Sequence, residues 1–251
     1  MKINKTLSVA ILSGKGGVGK TNIALNLGYC LFRGGSRVLL MDCDLGLANL
    51  DVLLGLAPDK TLQDIVDQGI DPKEVTVSID QGGFDFLPAA SGAPELVEMD
   101  EETRAILFER LFPVLDNYEF LFMDLGAGIN PSVLSFAAMS RLRIVVITPE
   151  PTSLTDSYAL IKILKTQYGI RDFHVAVNMA ESKEEEKQTF GRLNMACKKF
   201  LDLEVKYLGA IRQDKTMAEA VRKQIPLMKL APKSSAGQDT VSYTHLRAHE
   251  T

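Results

Sequence analysis

Within Ser13-Gly-Lys-Gly-Gly-Val-Gly-Lys-Thr21, four glycines, two lysines and a terminal hydroxyl fall between an apolar strand and the start of a helix. That context suits a loop that holds phosphate. Gly14, Gly16, Gly17 and Gly19, with Val18 among them, let successive backbone N–H groups converge on phosphate oxygens, and the following helix adds its positive end. Lys20 is placed to reach the β- and γ-phosphates, and the Thr21 hydroxyl to ligate Mg²⁺. A glycine-rich turn that merely joined strand to helix would have no use for Lys20 and Thr21 at these offsets. Lys15 is a second cation near the loop's start, surplus if Lys20 already serves the phosphates.

Phosphoryl transfer depends on positioning and charge stabilisation, so such a loop needs carboxylates at neighbouring strand ends. Arg37-Val-Leu-Leu-Met-Asp-Cys-Asp44 ends in Asp42 and Asp44, which share one side while the chain stays extended. Phe120-Leu-Phe-Met-Asp124-Leu-Gly-Ala-Gly128 has the form of a metal-holding strand that runs into a glycine-bearing switch segment. Asp124 is the candidate to hold Mg²⁺ through water and Asp42 to support the metal. An aspartate at a strand end can instead cap a loop, but three in register with one phosphate loop form a site.

These residues require a parallel sheet. Short apolar runs alternate with helix-period stretches, which predicts an α/β fold with a doubly wound, mainly parallel sheet and helices on both faces. Strands are expected at Ser8–Ser13, Arg37–Asp42, Phe84–Pro88, Glu119–Asp124, Leu142–Thr148, Phe173–Asn178 and Val205–Ile211. Helices are expected at Asn22–Arg33, Thr61–Gln68, Pro94–Asn117, Pro131–Ser140, Ser153–Tyr168, Ser182–Leu201 and Thr216–Gln224. Ser182 and Glu185 form a capping box, after which Phe190, Leu193, Cys197 and Phe200 recur at helical spacing. One domain is expected over residues 1–233. The polar stretch 234–251 reads as a non-core tail, its ending like adapter DNA read through as coding sequence, which implies a missing natural C-terminus. His245 and His249 stand at metal-binding spacing in that tail, with no carboxylate or cysteine support.

The chain has 251 residues, 46% hydrophobic and 24% charged, with a net charge of −4, which disfavours broad nucleic-acid binding. Cys30, Cys43 and Cys197 lack metal or disulfide spacing and fit a reducing cytoplasm. No apolar run approaches a membrane span, so membrane contact is expected to be peripheral at most, at the inner face of the cell membrane.

The Lys15-Gly-Gly-Val-Gly-Lys-Thr21 loop resembles that of the ParA/MinD family of deviant P-loop ATPases, whose first lysine reaches the nucleotide of the facing subunit. That resemblance implies a MinD-like P-loop NTPase fold, a homodimer that sandwiches two ATP molecules with Mg²⁺, and slow hydrolysis. It carries nucleotide contact to Asn22, assigns Asp44 to orienting the attacking water, and gives Asn178 the adenine. Thr148-Pro-Glu-Pro-Thr-Ser-Leu-Thr-Asp156 resembles the dimer-facing segment, which implies that Glu150 approaches the partner's nucleotide and Asp156 pairs with Lys15. Arg212 stands where many relatives carry a proline beside the base, and Gly126 where they vary.

Asp42-Cys-Asp-Leu-Gly-Leu-Ala-Asn-Leu-Asp-Val-Leu-Leu-Gly55 is more particular, and is similar to the MinD-like flagellar-number regulators of the FlhG/FleN branch. So are Leu87-Pro-Ala-Ala-Ser-Gly92, Glu150-Pro-Thr-Ser153 and Asp156-Ser-Tyr-Ala-Leu-Ile-Lys162. This likeness implies an ATP-dependent limit on flagellar number or placement, exerted on a flagellar transcription activator or an FlhF-type GTPase. Peripheral membrane contact would require an intact C-terminus. The alternatives are a MinD-type division-site regulator, separable by genome neighbourhood, and a ParA-type partitioning ATPase, which would show salt-sensitive DNA binding.

Overall fold

The computed structural model describes residues 5–44, 49–89 and 101–242. In chain order the elements are β1 Leu7–Ser13, α1 Lys20–Arg33, β2 Val38–Cys43, α2 Leu50–Leu54, α3 Leu62–Gln68, α4 Pro72–Val75, β3 Val77–Asp80 and β4 Phe84–Leu87. There follow α5 Glu101–Leu115, β5 Phe120–Ala127, α6 Pro131–Met139, β6 Leu142–Ile147, α7 Pro151–Tyr168 and β7 His174–Ala180. The described chain closes with α8 Lys183–Leu201, β8 Lys206–Arg212, α9 Lys215–Arg222, α10 Leu227–Leu230 and α11 Ser235–Val241.

The strands form one sheet in the order β3-β4-β2-β5-β1-β6-β7-β8, parallel except where β3 runs antiparallel to β4. Both parities of the central strands are apolar because each face is covered. Val9, Ile11, Leu40, Phe120 and Phe122 pack under α1, whereas Ala10, Leu12, Leu39, Leu121 and Met123 pack under α5, α6 and α7. From β1 the chain moves outward through β2 to one side and later through β6, β7 and β8 to the other. The carboxyl end of β1 is therefore a topological switch point, where an open α/β sheet offers a crevice to ligands.

Two features differ from the sequence expectation. β3 adds an eighth strand: Val77–Asp80 is four residues, none of them buried, too short for a clear alternation, and it pairs through the Gln81-Gly82-Gly83 turn. The non-core tail predicted from residue 234 is also corrected, since Ser235–Val241 is a packed helix. Its bonding is polar, which hid it. Ser234 accepts from the Gly237 amide at its start (3.2 Å), Asp214 accepts from Ala236 N (3.1 Å), and Asp239 takes the Arg212 guanidinium through two bonds of 2.8 Å. Ala236 and Thr240 are buried against α1 and β8. Residues 94–100 of the expected Pro94–Asn117 helix, and His245 and His249, lie outside the described residues.

Candidate functional site

α1 starts at Lys20, directly after Gly19, which caps it in the left-handed region with no side-chain acceptor. The first-turn amides of α1 thus face the loop unclaimed by a cap, as an anion site requires. Two neighbours hold the loop. At its start, a Cβ on Gly14 would collide with the Asp156–Ser157 peptide of α7, so the backbones meet there without any side chain between them. At its end, the Asn178 amide donates to the Val18 carbonyl (2.8 Å) and lies against Gly19. Asn178 is 160 residues away in sequence and buried within β7, a contact that motif spacing does not specify.

β2 and β5 bring the acids together. Asp42 and Asp124 are paired in register, and both occupy the α1 face, as do Leu40 and Phe122 two residues before them. One Asp42 oxygen accepts from Asp44 N (3.0 Å), and the other from Asn49 N (3.1 Å) and Leu50 N (3.3 Å). Asp42 is therefore engaged in shaping the segment that carries Asp44. Asp44 itself sits beside Gly126, where a Cβ would come within 3.3 Å of its Oδ1. Gly126 thus makes room for Asp44.

Lys20 is buried, and desolvation lowers its pKa against the opposing pull of Asp124 and Asp44. Burial pushes the Asp124 carboxyl up to about 7, reinforced by the charge of Asp42, while Thr21 and Lys20 hold it down in part. Burial likewise raises Asp42 to about 6 despite its three backbone donors. Asp124 Oδ1 is a buried acceptor with no hydrogen-bond partner among the described residues. An anionic oxygen left undonated beside the Thr21 hydroxyl fits a divalent cation reached directly or through water.

The raised acids give a pH dependence with a definite sign. Between the unfolded carboxylate value of ~3.9 and the folded value near 7, the folded chain binds more protons than the unfolded one. Stability of the ligand-free protein from this pair should therefore fall as pH rises through that window, by at most ~1.4 kcal/mol per pH unit per proton. Thermal denaturation from pH 5 to 7.5 measures it. Asp124→Asn should flatten the profile, and an unchanged profile would contradict the assignment.

Lys15 behaves differently from Lys20. Its ammonium leaves the loop and pairs with Glu150, at the cap of α7, and with the Thr152 hydroxyl (3.1 Å). This corrects the expected Lys15–Asp156 pairing: Asp156 meets the loop through its backbone at Gly14. The Glu150–Thr152 segment crosses 135 residues to do so, beyond the reach of motif spacing. Arg212 is held on α11 by Asp239.

A sequence-family model described as the CobQ/CobB/MinD/ParA nucleotide binding domain matches residues 9–227. The chain belongs to this family. Within it, the chain is 41% identical to the antiactivator FleN of Pseudomonas aeruginosa over 228 residues, 91% of this chain and 81% of FleN. It is 35% identical to the flagellum site-determining protein YlxH of Helicobacter pylori over 237 residues, 90% and 76% of the respective chains. Among solved structures, the septum site-determining protein MinD of Pyrococcus horikoshii OT3 in complex with Mg-ADP is similar at a TM-score of 0.77 and 25% identity. That match covers 98% of this chain and 99% of the MinD chain. The MinD/ParA nucleotide-binding fold and the likeness to flagellar regulators, both implied by the motifs, are therefore present in this protein. Among the described residues no helix is long and apolar enough to cross a membrane.

Proposed function

We propose that this protein is an ATP-dependent dimerising switch with slow hydrolysis that regulates flagellar number or placement. The observation that carries the reading is the division of labour between two loop lysines. Lys20 is buried against the acids, whereas Lys15 points away from its own loop and stays partly exposed on Glu150 and Thr152. A cation that its own phosphates do not use is available to a second molecule's nucleotide. In the dimer Lys15 exchanges Glu150 for the facing γ-phosphate, and Glu150, released, approaches the partner's nucleotide. The exposed pair costs little to break, about 0–1 kcal/mol.

Gly14 to Asn22 bind the nucleotide, with backbone amides and Lys20 on the phosphates. Thr21 and Asp124 hold Mg²⁺, and Asp42 supports them by holding the adjoining loop. When bound, the cation supplies charge neutralisation at the phosphates. Asp44 orients the attacking water. With one amide N–H given to Val18, Asn178 keeps its second N–H and its carbonyl oxygen for the base, and that oxygen can accept from an exocyclic amine such as adenine's. The flagellar role is supported by the similarity to FleN and YlxH, and the partner on this reading is a flagellar transcription activator or an FlhF-type GTPase.

ATP selects the dimer, the dimer presents a partner surface, and hydrolysis resets it. Turnover per chain should accordingly be low at nanomolar protein and rise with concentration until dimerisation saturates. High turnover independent of concentration would overturn the switch.

A further inference from the structure

At the opposite pole of the sheet, a cavity of about 230 Å³ opens between α5 and α6. Its floor is Leu121 and Met123 of β5, its sides are Phe112 and Met139, and Ser8 and Arg141 stand at its rim. The phosphate loop is six residues along β1 from Ser8, roughly 20 Å away, so this cavity is no part of the nucleotide site.

Three features set it apart from a packing defect. Phe112 and Met139 leave 48% and 50% of their surface exposed on facing helices, so two large apolar side chains frame one opening. Arg141 is an exposed cation that makes no ion pair among the described residues. Nor is it needed to finish α6. Arg143, two residues on, is buried and donates to the Ala137 (2.8 Å) and Ser140 carbonyls at that helix end. The backbone amide of Arg141 is itself held by Ser8, which orients the residue at the rim.

We infer that this cavity is a docking pocket for a protein partner that inserts one apolar side chain and places an acidic residue against Arg141. Size decides against a drug-sized ligand, whose pockets run from about 300 to 1,000 Å³. A single buried anchor in a small desolvated pocket is the usual centre of a protein interface, and phenylalanine, methionine and arginine are enriched there. Charge decides the neighbour of the anchor, since the unpaired guanidinium favours a carboxylate and repels a basic segment.

Its test is methyl NMR on the full chain labelled at the methionine methyl groups, with Met123 and Met139 assigned by Met→Leu variants. The probes are acetyl-Leu-Glu-amide and acetyl-Leu-Gln-amide. The expected result is saturable shifts at Met123 and Met139 but not at methionines elsewhere, with the Glu peptide bound about 2- to 5-fold more tightly. Arg141→Gln, at an exposed position, should retain binding of the Gln peptide and lose the preference. Absence of shifts at both methyls, equal affinity for the two peptides, or a preference that survives Arg141→Gln would each overturn the inference. Since no nucleotide is present, failure here leaves the switch intact, and failure of the switch leaves this result unaffected.

Discussion

Gly14→Ala should abolish nucleotide binding and destabilise the fold by about 3 kcal/mol. The added methyl would meet the Asp156–Ser157 peptide, which is the backbone of α7 and cannot rotate aside as a flexible side chain can. Either the loop lifts from α7, which loses the first-turn geometry at Lys20, or α7 moves and drags Glu150 and Thr152 with it. Gly16→Ala is the control for stability: its Cβ would find Ala127 at 3.9 Å, an ordinary contact, so the fold should lose little. Nucleotide titration and thermal denaturation of the two variants measure the contrast. Equal tolerance at both positions would mean that the loop does not rest on α7 as described.

Asp44→Ala should lower ATP turnover by about 10²- to 10³-fold while changing nucleotide affinity less than tenfold. Asp44 does not bear the loop. That task falls to Asp42, whose oxygens accept three backbone amides and whose replacement by alanine would leave those donors unanswered. The two aspartates, one residue apart, are thus expected to separate cleanly. Asp42→Ala lowers stability, and Asp44→Ala lowers chemistry. Gly126→Ala should resemble a weaker Asp44→Ala, because its methyl would press on the Asp44 carboxylate. Phosphate release under saturating Mg·ATP, together with melting temperature, distinguishes them. Loss of nucleotide affinity on Asp44→Ala would reassign it to binding.

Local features of this site were legible because local chemistry specifies them. Four glycines, Lys20 and Thr21 lie in one strand-to-helix turn, and the alternation of a strand alone places Asp42 and Asp44 on one side. Sheet class followed from strands apolar on both parities, such as Ile144-Val-Val-Ile147, which can exist only between two layers of helices. What escaped was decided at long range. The pairing of Lys15 with Glu150 rather than Asp156 depends on how the start of α7 docks against the loop, and no spacing within either segment encodes that approach. The same is true of Asn178 and Val18. α11 escaped for another reason, since small residues and the Arg212–Asp239 pair hold it in place of an apolar stripe. β3 was too short to show a period, although the Gly82-Gly83 turn that pairs it with β4 was visible.

Three thiols provide an internal check on compactness. Cys30, Cys43 and Cys197 are all buried and unpaired, and burial raises each pKa, Cys30 to about 12 and Cys197 to about 11. Cys43 is also raised, first by burial and then by the neighbouring acids. It lies between Asp42 and Asp44 but faces the other side of the sheet, among the residues under α5, and so takes no part in the phosphate site.

The most direct test of the switch is molecular mass in solution, by light scattering, with ADP and with Mg·ATP on an Asp44→Ala background that preserves the triphosphate. The expected result is a monomer with ADP, a dimer with Mg·ATP, and a return to monomer with ATP still bound when Lys15→Ala is added. A chain that binds ATP yet stays monomeric, or a dimer indifferent to Lys15, would contradict it.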